Sequence, residues 1–571
     1  MQRVSIHTFG IRPIDSQIQG YRFVDTFYSE LEIRPQSSKC FYLLWAEQTG
    51  EVYYPTILTN GQGTHFRISR TGPHLLKDHG GSFSVEPVSS YLSEEMFKGF
   101  DFRGKEVFFP RGTYVHVQAG GVNTLFYFEK NQPERIKGAG ESATTLLGMT
   151  NKPARELPAI HCRLEDISCH NIVPTAGSLR RFESVYIQRV SLHYHSITQS
   201  SSYLLYIMDE GADVFIENLT LRCQAIYAGI WVERANDVHI AHSTLATASA
   251  SHPIRINSYR GRCLIDSNTV SGANITGILI ATQRRALIRG AEIVHNTVSG
   301  CAEESISIDS FGNNVGLVPV ICKSYVQKVA PWRVDGVLKG TCVYCGDLFF
   351  VEPKKQGGGY QHRVVDVDFI GSIKGLLFVV ESGNLAYQYA EIRDFAPAGQ
   401  SICLYLSETY TAEELEGAEI GVHTGAINCT IAGNEVRDTQ PNANQPGHAI
   451  SLWGASYGNA VLNNRIDNCR QGIHVAGFGS FGLQRPDFFN HAIQNMVEGN
   501  VITNCKESFA IRTFYGSKKG YGNRFNNNHI RGGTFEIKHQ LEFEMLGNVL
   551  EDTRVPHSLF KVWYRNSGKC A

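Results

Sequence analysis

The residues best suited to chemistry are carboxylates that fall at matching positions of short alternating strands. Asp309 closes the run SISID (305–309), and Glu381 closes GLLFVVE (375–381). Side chains alternate in and out along a strand. With Ile306, Ile308, Phe378 and Val380 facing inward, Asp309 and Glu381 share an outer face. Neighbouring strands lie about 4.8 Å apart. Two carboxylates that close repel, which raises one pKa and leaves an acid beside a base. Glycoside hydrolysis uses that pairing: one carboxylic acid protonates the leaving oxygen, and the other attacks or activates water. A separation of about 5 Å favours retention and about 6.5–9.5 Å inversion, and a coil intervening within 340–370 would double the spacing, so both outcomes stay open. Glu304 lies near as a third candidate; it adjoins Glu303, so in a strand the two do not face one groove. An outward Asp or Glu on such a surface is ordinarily just solvated, which is the structural alternative for each.

The same register puts Trp231, Glu233, Arg255 and Asn257 on the outer face of two earlier strands, GIWVE and PIRIN. An exposed Trp offers a flat apolar surface to a sugar ring. Arg255 suits the neutralisation of a uronate carboxyl in a β-eliminating lyase, with Arg284, Arg285 and Lys323 in the same region. Its structural alternative is a salt bridge to Glu233 one coil away. His193 and His195 in SLHYHSI would share a strand face but have no carboxylate pattern beside them. Cys342 and Cys345 form one C-x-x-C without a second pair, short of the four ligands that zinc takes. Neither a metal nor a cofactor is expected.

The elements that would position these residues come from a repeat. Ile230, Ile254, Ile278 and Ile306 recur at steps of 24, 24 and 28 residues, as do Val232, Ile256, Ile280 and Ile308. A coil of 24 residues is too short for a strand–helix–strand crossover with two strands per turn. It holds three short strands and three bends, after which the chain lies one strand spacing above its start. Aliphatic residues at equal positions then stack, and Asn at the bends, as in IAGNEV, VLNNRI, VEGNVI, FNNNHI and MLGNVL, can adopt the left-handed conformation and bond its neighbours above and below. The expected fold is all-β: a right-handed parallel β-helix, a single-stranded solenoid, over 101–550. A small β-rich N-terminal domain covers 1–100, loop insertions or an inserted subdomain fall around 313–430, with KGLLFVVES and SICLYLS continuing the stack, and a cap closes 551–571. A leucine-rich repeat lacks its signature here, and propeller blades are longer.

Composition narrows the classes. The 571 residues are 19% charged and 42% hydrophobic with formal net charge −1, which fits a folded protein and gives no basic excess for nucleic acid. No run of about 18 apolar residues suggests membrane insertion, and MQRVSIHTFGIRPIDS lacks the pattern of a signal peptide. The 14 cysteines, among them Cys263 and Cys403 in apolar runs, read as buried free thiols.

The segments VFFPRGTYVHV and RIKGAGESATTLL, the repeated G-I-x-V/I strands and the x-N-x-V turns resemble bacteriophage tailspike depolymerases and the wider pectate-lyase-like β-helix superfamily. The likeness spans roughly residues 100–550. It implies a polysaccharide substrate, a homotrimer, and a site of Asp and Glu on the exposed sheet, which Asp309, Glu381 and Glu304 fit. It also implies a virion-tail or extracellular location, with a free bacterial exopolysaccharide-degrading enzyme as the other origin. Residues 1–100 match no virion-attachment domain. The expected function is that of an endo-glycosidase on bacterial surface or exopolysaccharide, with a uronate lyase and a non-catalytic glycan-binding spike protein as alternatives.

Overall fold

A computed structural model describes residues 1–555 except 29–37, 60–61, 81, 119–123, 126–132, 151–158, 161–162, 171–172, 175–183, 194–202, 208–212, 224–227, 248–249, 282–286, 311–319, 347–348, 354–359, 365–372, 399–400, 440–446, 478–490, 514–519 and 538–539. His195, Arg284, Arg285 and most of the expected C-terminal cap lie outside the described residues. The chain divides into two compact units, Met1–Arg255 with Tyr259–Gly277, and Ile256–Ser258 with Ile278–Ala571.

In the first unit, four strands form a mixed sheet: Arg22–Tyr28, Cys40–Ala46, Gly72–Asp78 and Phe83–Pro87. Alternation gives this sheet two apolar faces. Cys40, Tyr42, Leu44 and Leu76 pack with Phe66 and Ile68, whereas Phe41, Leu43 and Leu75 pack on Val115, Val117, Leu147 and Met149 of the parallel coils. The strand Gln2–Ser5 lies parallel to Lys105–Phe108, so residues 1–100 are not set apart from the coils as expected. Coil strands then follow in parallel register: Arg163–His170, Ser184–His193 and Asp213–Cys223. The last of these faces two shorter strands, Val238–Ala241 and Thr244–Thr247. The break between them is His242, with φ of 50°.

In the second unit each coil supplies one strand to a parallel sheet of Glu304–Asp309, His448–Trp453, Gln471–Gly477, Glu507–Thr513 and Phe535–Ile537. Ile306, Ile450 and Ile473 pile up in register, as do Ile308, Leu452 and Val475. Ile230 and Ile254 in the first unit, and Ile278 and Ile306 in the second, are each fully buried. The fold is a parallel β-helix with aliphatic stacks inside.

Polar ladders line its bends. The side-chain amide of Asn296 donates to Asn434 (3.0 Å), Asn434 to Asn464 (2.9 Å), Asn464 to Asn500 (2.9 Å), Asn500 to Asn528 (2.9 Å) and Asn528 to Asn548 (3.0 Å). A shorter ladder joins Asn459, Asn495 and Asn523. The left-handed residue is not the ladder Asn, as expected, but the one before it: His295, Gly433, Asn463, Gly499, Asn527 and Gly547 all have positive φ. That residue turns the chain, and the next Asn points inward, where only its neighbours can satisfy its amide.

Strands between Val320 and His423 leave the coils. Among the described residues they form an eight-stranded antiparallel sheet. Its core is Val343, Phe378, Val380, Ile392, Leu404, Ile420 and Val422. GLLFVVES and SICLYLS therefore do not continue the stack: Leu377–Val380 pairs antiparallel with Tyr389–Ala398 and Glu419–His423. The coil after Leu287–Asp309 resumes at Gly425. Cys403 is not a free thiol. It is bonded to Cys342, which sits one strand away, while Cys263 is buried in no disulfide.

Candidate functional site

In-register stacking in the second unit brings polar residues of three coils onto one sheet face. Ser307, Ser451 and His474 align, as do Asp309, Trp453 and Ala476. Glu304 aligns with His448 and Gln471. The Ser451 hydroxyl donates to Glu304 Oε1 at 2.8 Å, its oxygen lies 2.9 Å from Ser307 Oγ, and the Trp453 indole N–H also donates to Glu304 Oε1. The rings of His448 and His474 stack at 4.2 Å and 6°, with Trp453 edge-on to both. His448 Nδ1 lies 3.6 Å from Glu304 Oε1. Glu304 is nearly buried, its side chain 9% exposed.

Glu303 precedes it, half-buried, and its carbonyl accepts the His448 amide at 2.8 Å. Burial, and then the charge of Glu304, push the Glu303 carboxyl above the usual range. Glu303 lies in the bend just before the strand Glu304–Asp309, so strand alternation does not set its direction. Asp309 is half-buried at the other end of the strand, opposite Trp453.

Glu381 is elsewhere. The strand register that paired it with Asp309 does not exist, because the neighbour of Asp309 is Trp453. Expected on an open face, Glu381 has a side chain with 0% exposure. Val379, on the same face by alternation, is buried with Leu377 against Ala455, Tyr457 and Ile493. The physical reason is that the antiparallel sheet is covered on both faces. Glu381 Oε1 lies 2.9 Å from His423 Nε2, and Oε2 lies 3.0 Å from His491 Nε2. Tyr457 Oη lies 2.9 Å from His423 Nδ1. Burial opposes ionisation of Glu381, but His491 and His423 outweigh it and hold the carboxyl well below the usual range.

In the first unit the Arg255 guanidinium sits over the Trp231 ring, 4.3 Å from its centroid, and the Trp231 N–H donates to Glu233. Trp231 and Arg255 are 9% and 4% exposed, so they are packed residues and not the open groove wall expected of them. Asn257, in the second unit, is likewise buried.

His448, Ser451, Trp453 and His474 were not among the sequence candidates, and Glu303 was set aside. The signal was present: SISID, AISLW and GIHVA share one alternation, with Ile306, Ile450 and Ile473 as the common inward position. What hid it was the excursion of more than a hundred residues between the first two runs.

No protein-family model and no curated protein sequence matches the chain. Among solved structures it is similar to the A-module of the mannuronan C-5 epimerase AlgE6 of Azotobacter vinelandii, at 10% identity over 78% of this chain and 91% of that chain, TM-score 0.32. It is also similar to the periplasmic alginate epimerase AlgG, at 10% identity over 78% and 77%, TM-score 0.29. The catalytic domain of a GH87 alpha-1,3-glucanase aligns at 10% identity over 87% and 82%, TM-score 0.24. The fold assignment rests on the strand pairings described above.

Proposed function

We propose that this chain is a polysaccharide-degrading enzyme, an endo-acting glycoside hydrolase with its reaction centre on the parallel sheet at Glu303 and Glu304. The observation that carries the reading is the Glu304 carboxyl, held by Ser451 and Trp453, next to Glu303, whose carboxyl burial pushes above the usual range. Glu303 gives the proton to the leaving glycosidic oxygen, and Glu304 takes the base or nucleophile role. Trp453 and Asp309, both half-buried, offer a ring face and an acceptor for sugar hydroxyls along the same strand pair. Glu381 drops out of the catalytic set and Glu303 enters it.

Incubation with capsular and exopolysaccharides, read by mass spectrometry, tests this. Products that gain water, with Glu303→Gln and Glu304→Gln each slowing release by roughly 10²–10⁴-fold at unchanged melting temperature, support it. Full activity in either variant refutes that residue's role. An unsaturated product without added water assigns a lyase, and glycan binding without cleavage assigns a spike protein. A homotrimer in a virion tail or outside the cell belongs to the same proposal, and sedimentation that finds a monomer removes the trimer from it.

A further inference from the structure

The buried joint at Glu381 has no part in that reaction, and its composition asks for an explanation of its own. Three metal-ligating side chains from separate elements converge there: Glu381 just after Leu377–Val380, His423 at the end of Glu419–His423, and His491 just before Ala492–Ile493. One ligand atom from each lies within 4.8 Å of the others, and all three residues are buried. We propose that Glu381, His423 and His491 form a structural binding site for a divalent transition metal of the zinc class, which locks the antiparallel sheet onto the coils.

Five observations converge. The donor set, two imidazoles and a carboxylate, is one that zinc takes with bonds of about 2.0–2.2 Å, a water completing the four ligands. Ligand atoms on a tetrahedron of that size are roughly 3.3 Å apart. The carboxylate-to-imidazole separations of 2.9 and 3.0 Å are within a few tenths of an ångström of that edge. Both imidazoles present Nε2 to the same point, with their rings 5.5 Å apart and inclined at 22°. The other nitrogen of His423 is engaged by the Tyr457 hydroxyl, the outer support that fixes a ligating ring. Finally, Gly421 borders the cluster where a Cβ would stand 2.3 Å from His423 Nε2 and 3.1 Å from Glu381 Oε1, so only glycine leaves the ligating edge open. A carboxylate removed from water needs a compensating charge. Lys323, whose charge acts on His423, has its ammonium on Glu419 at 3.0 Å. A divalent ion, displacing the protons that the two imidazoles share with Glu381, supplies the compensation at the point where the three ligands meet.

The test uses the full chain loaded with Zn²⁺ or Co²⁺ and passed into metal-free buffer. Elemental analysis should find about one equivalent per chain, and the Co²⁺ form should show visible d–d bands. His423→Gln with His491→Gln should lose both. Tyr457→Phe should weaken binding by roughly 10–100-fold, and the exposed His529→Gln should change nothing. Chelation should lower the melting temperature of the wild type but not of the double variant. Wild type that retains no more metal than the double variant, with no Co²⁺ bands, overturns the proposal, and that outcome does not depend on any variant folding.

Discussion

At the scale of single residues, burial decides what a titratable group does. His116 lies inside the first unit, 3% exposed, and burial drives its pKa down to about 3. His252 is lowered to about 3 as well, by burial first and the Arg255 charge second. An unfolded chain protonates both near the ordinary value of 6.5. The unfolded state therefore binds more protons as pH falls from about 6.5 to about 3, and stability declines through that window. Above it the two residues cost nothing, and below it both states are protonated and the loss is complete. Each group contributes a few kcal/mol to that decline. Urea unfolding followed across the window should show a shallower slope for His116→Gln than for wild type; an unchanged slope contradicts the assignment. Glu303 and Glu304 show the same principle from the other side. Glu304 is met by Ser451 and Trp453, and its neighbour Glu303 is pushed upward by burial and by the charge of Glu304.

Among the elements, the bend is the unit that repeats most faithfully. Each inward Asn uses its amide twice: Asn464 donates to Asn500 at 2.9 Å and to the Ile431 carbonyl at 3.0 Å, and it accepts from Asn434 at 2.9 Å. Asn464→Ala leaves those buried groups unmet and should destabilise the protein by about 2–4 kcal/mol, measured by urea unfolding. Asn464→Asp removes the donor as well and buries a charge, so it should be worse than Ala. A smaller loss for Asp than for Ala would mean that the ladder is not read through its N–H groups. The residue before each ladder Asn works differently. At Gly499, with φ of 67°, a Cβ would lie 2.2 Å from Asn463 Oδ1, so both conformation and space call for glycine. The sequence motifs G-N and N-N are this pair written out: one residue to turn, one to bond.

Across the second unit as a whole, the coils and the antiparallel sheet are held together by Leu377, Val379, Ala455, Tyr457 and Ile493, and by Glu381 with its two histidines. Glu381→Ala leaves two buried imidazoles facing a void. Hydrogen exchange should then quicken in Leu377–Val380 and Glu419–His423, which flank the joint, while Thr430–Ala432 and Arg465–Asp467 in the ladder coils keep their protection. Equal loss in both regions would show that the joint holds the whole unit and not the sheet alone.

The solenoid was legible in the sequence because its cause is local and repeated. Ile230, Ile254, Ile278 and Ile306 mark the inward position of four coils, and each is buried. Alternation also told correctly that Phe378 and Val380 share one face and Val379 the other. What alternation cannot carry is the identity of whatever covers a face, or which strand comes next when the chain departs. Those depend on contacts between residues far apart in sequence. Asp309 found Trp453 as its neighbour, and Glu381 met His423 and His491 in the interior. Residue type and period fixed the coils; long-range packing alone decided which carboxylates stand at the sheet face and which lie sealed beneath a second sheet.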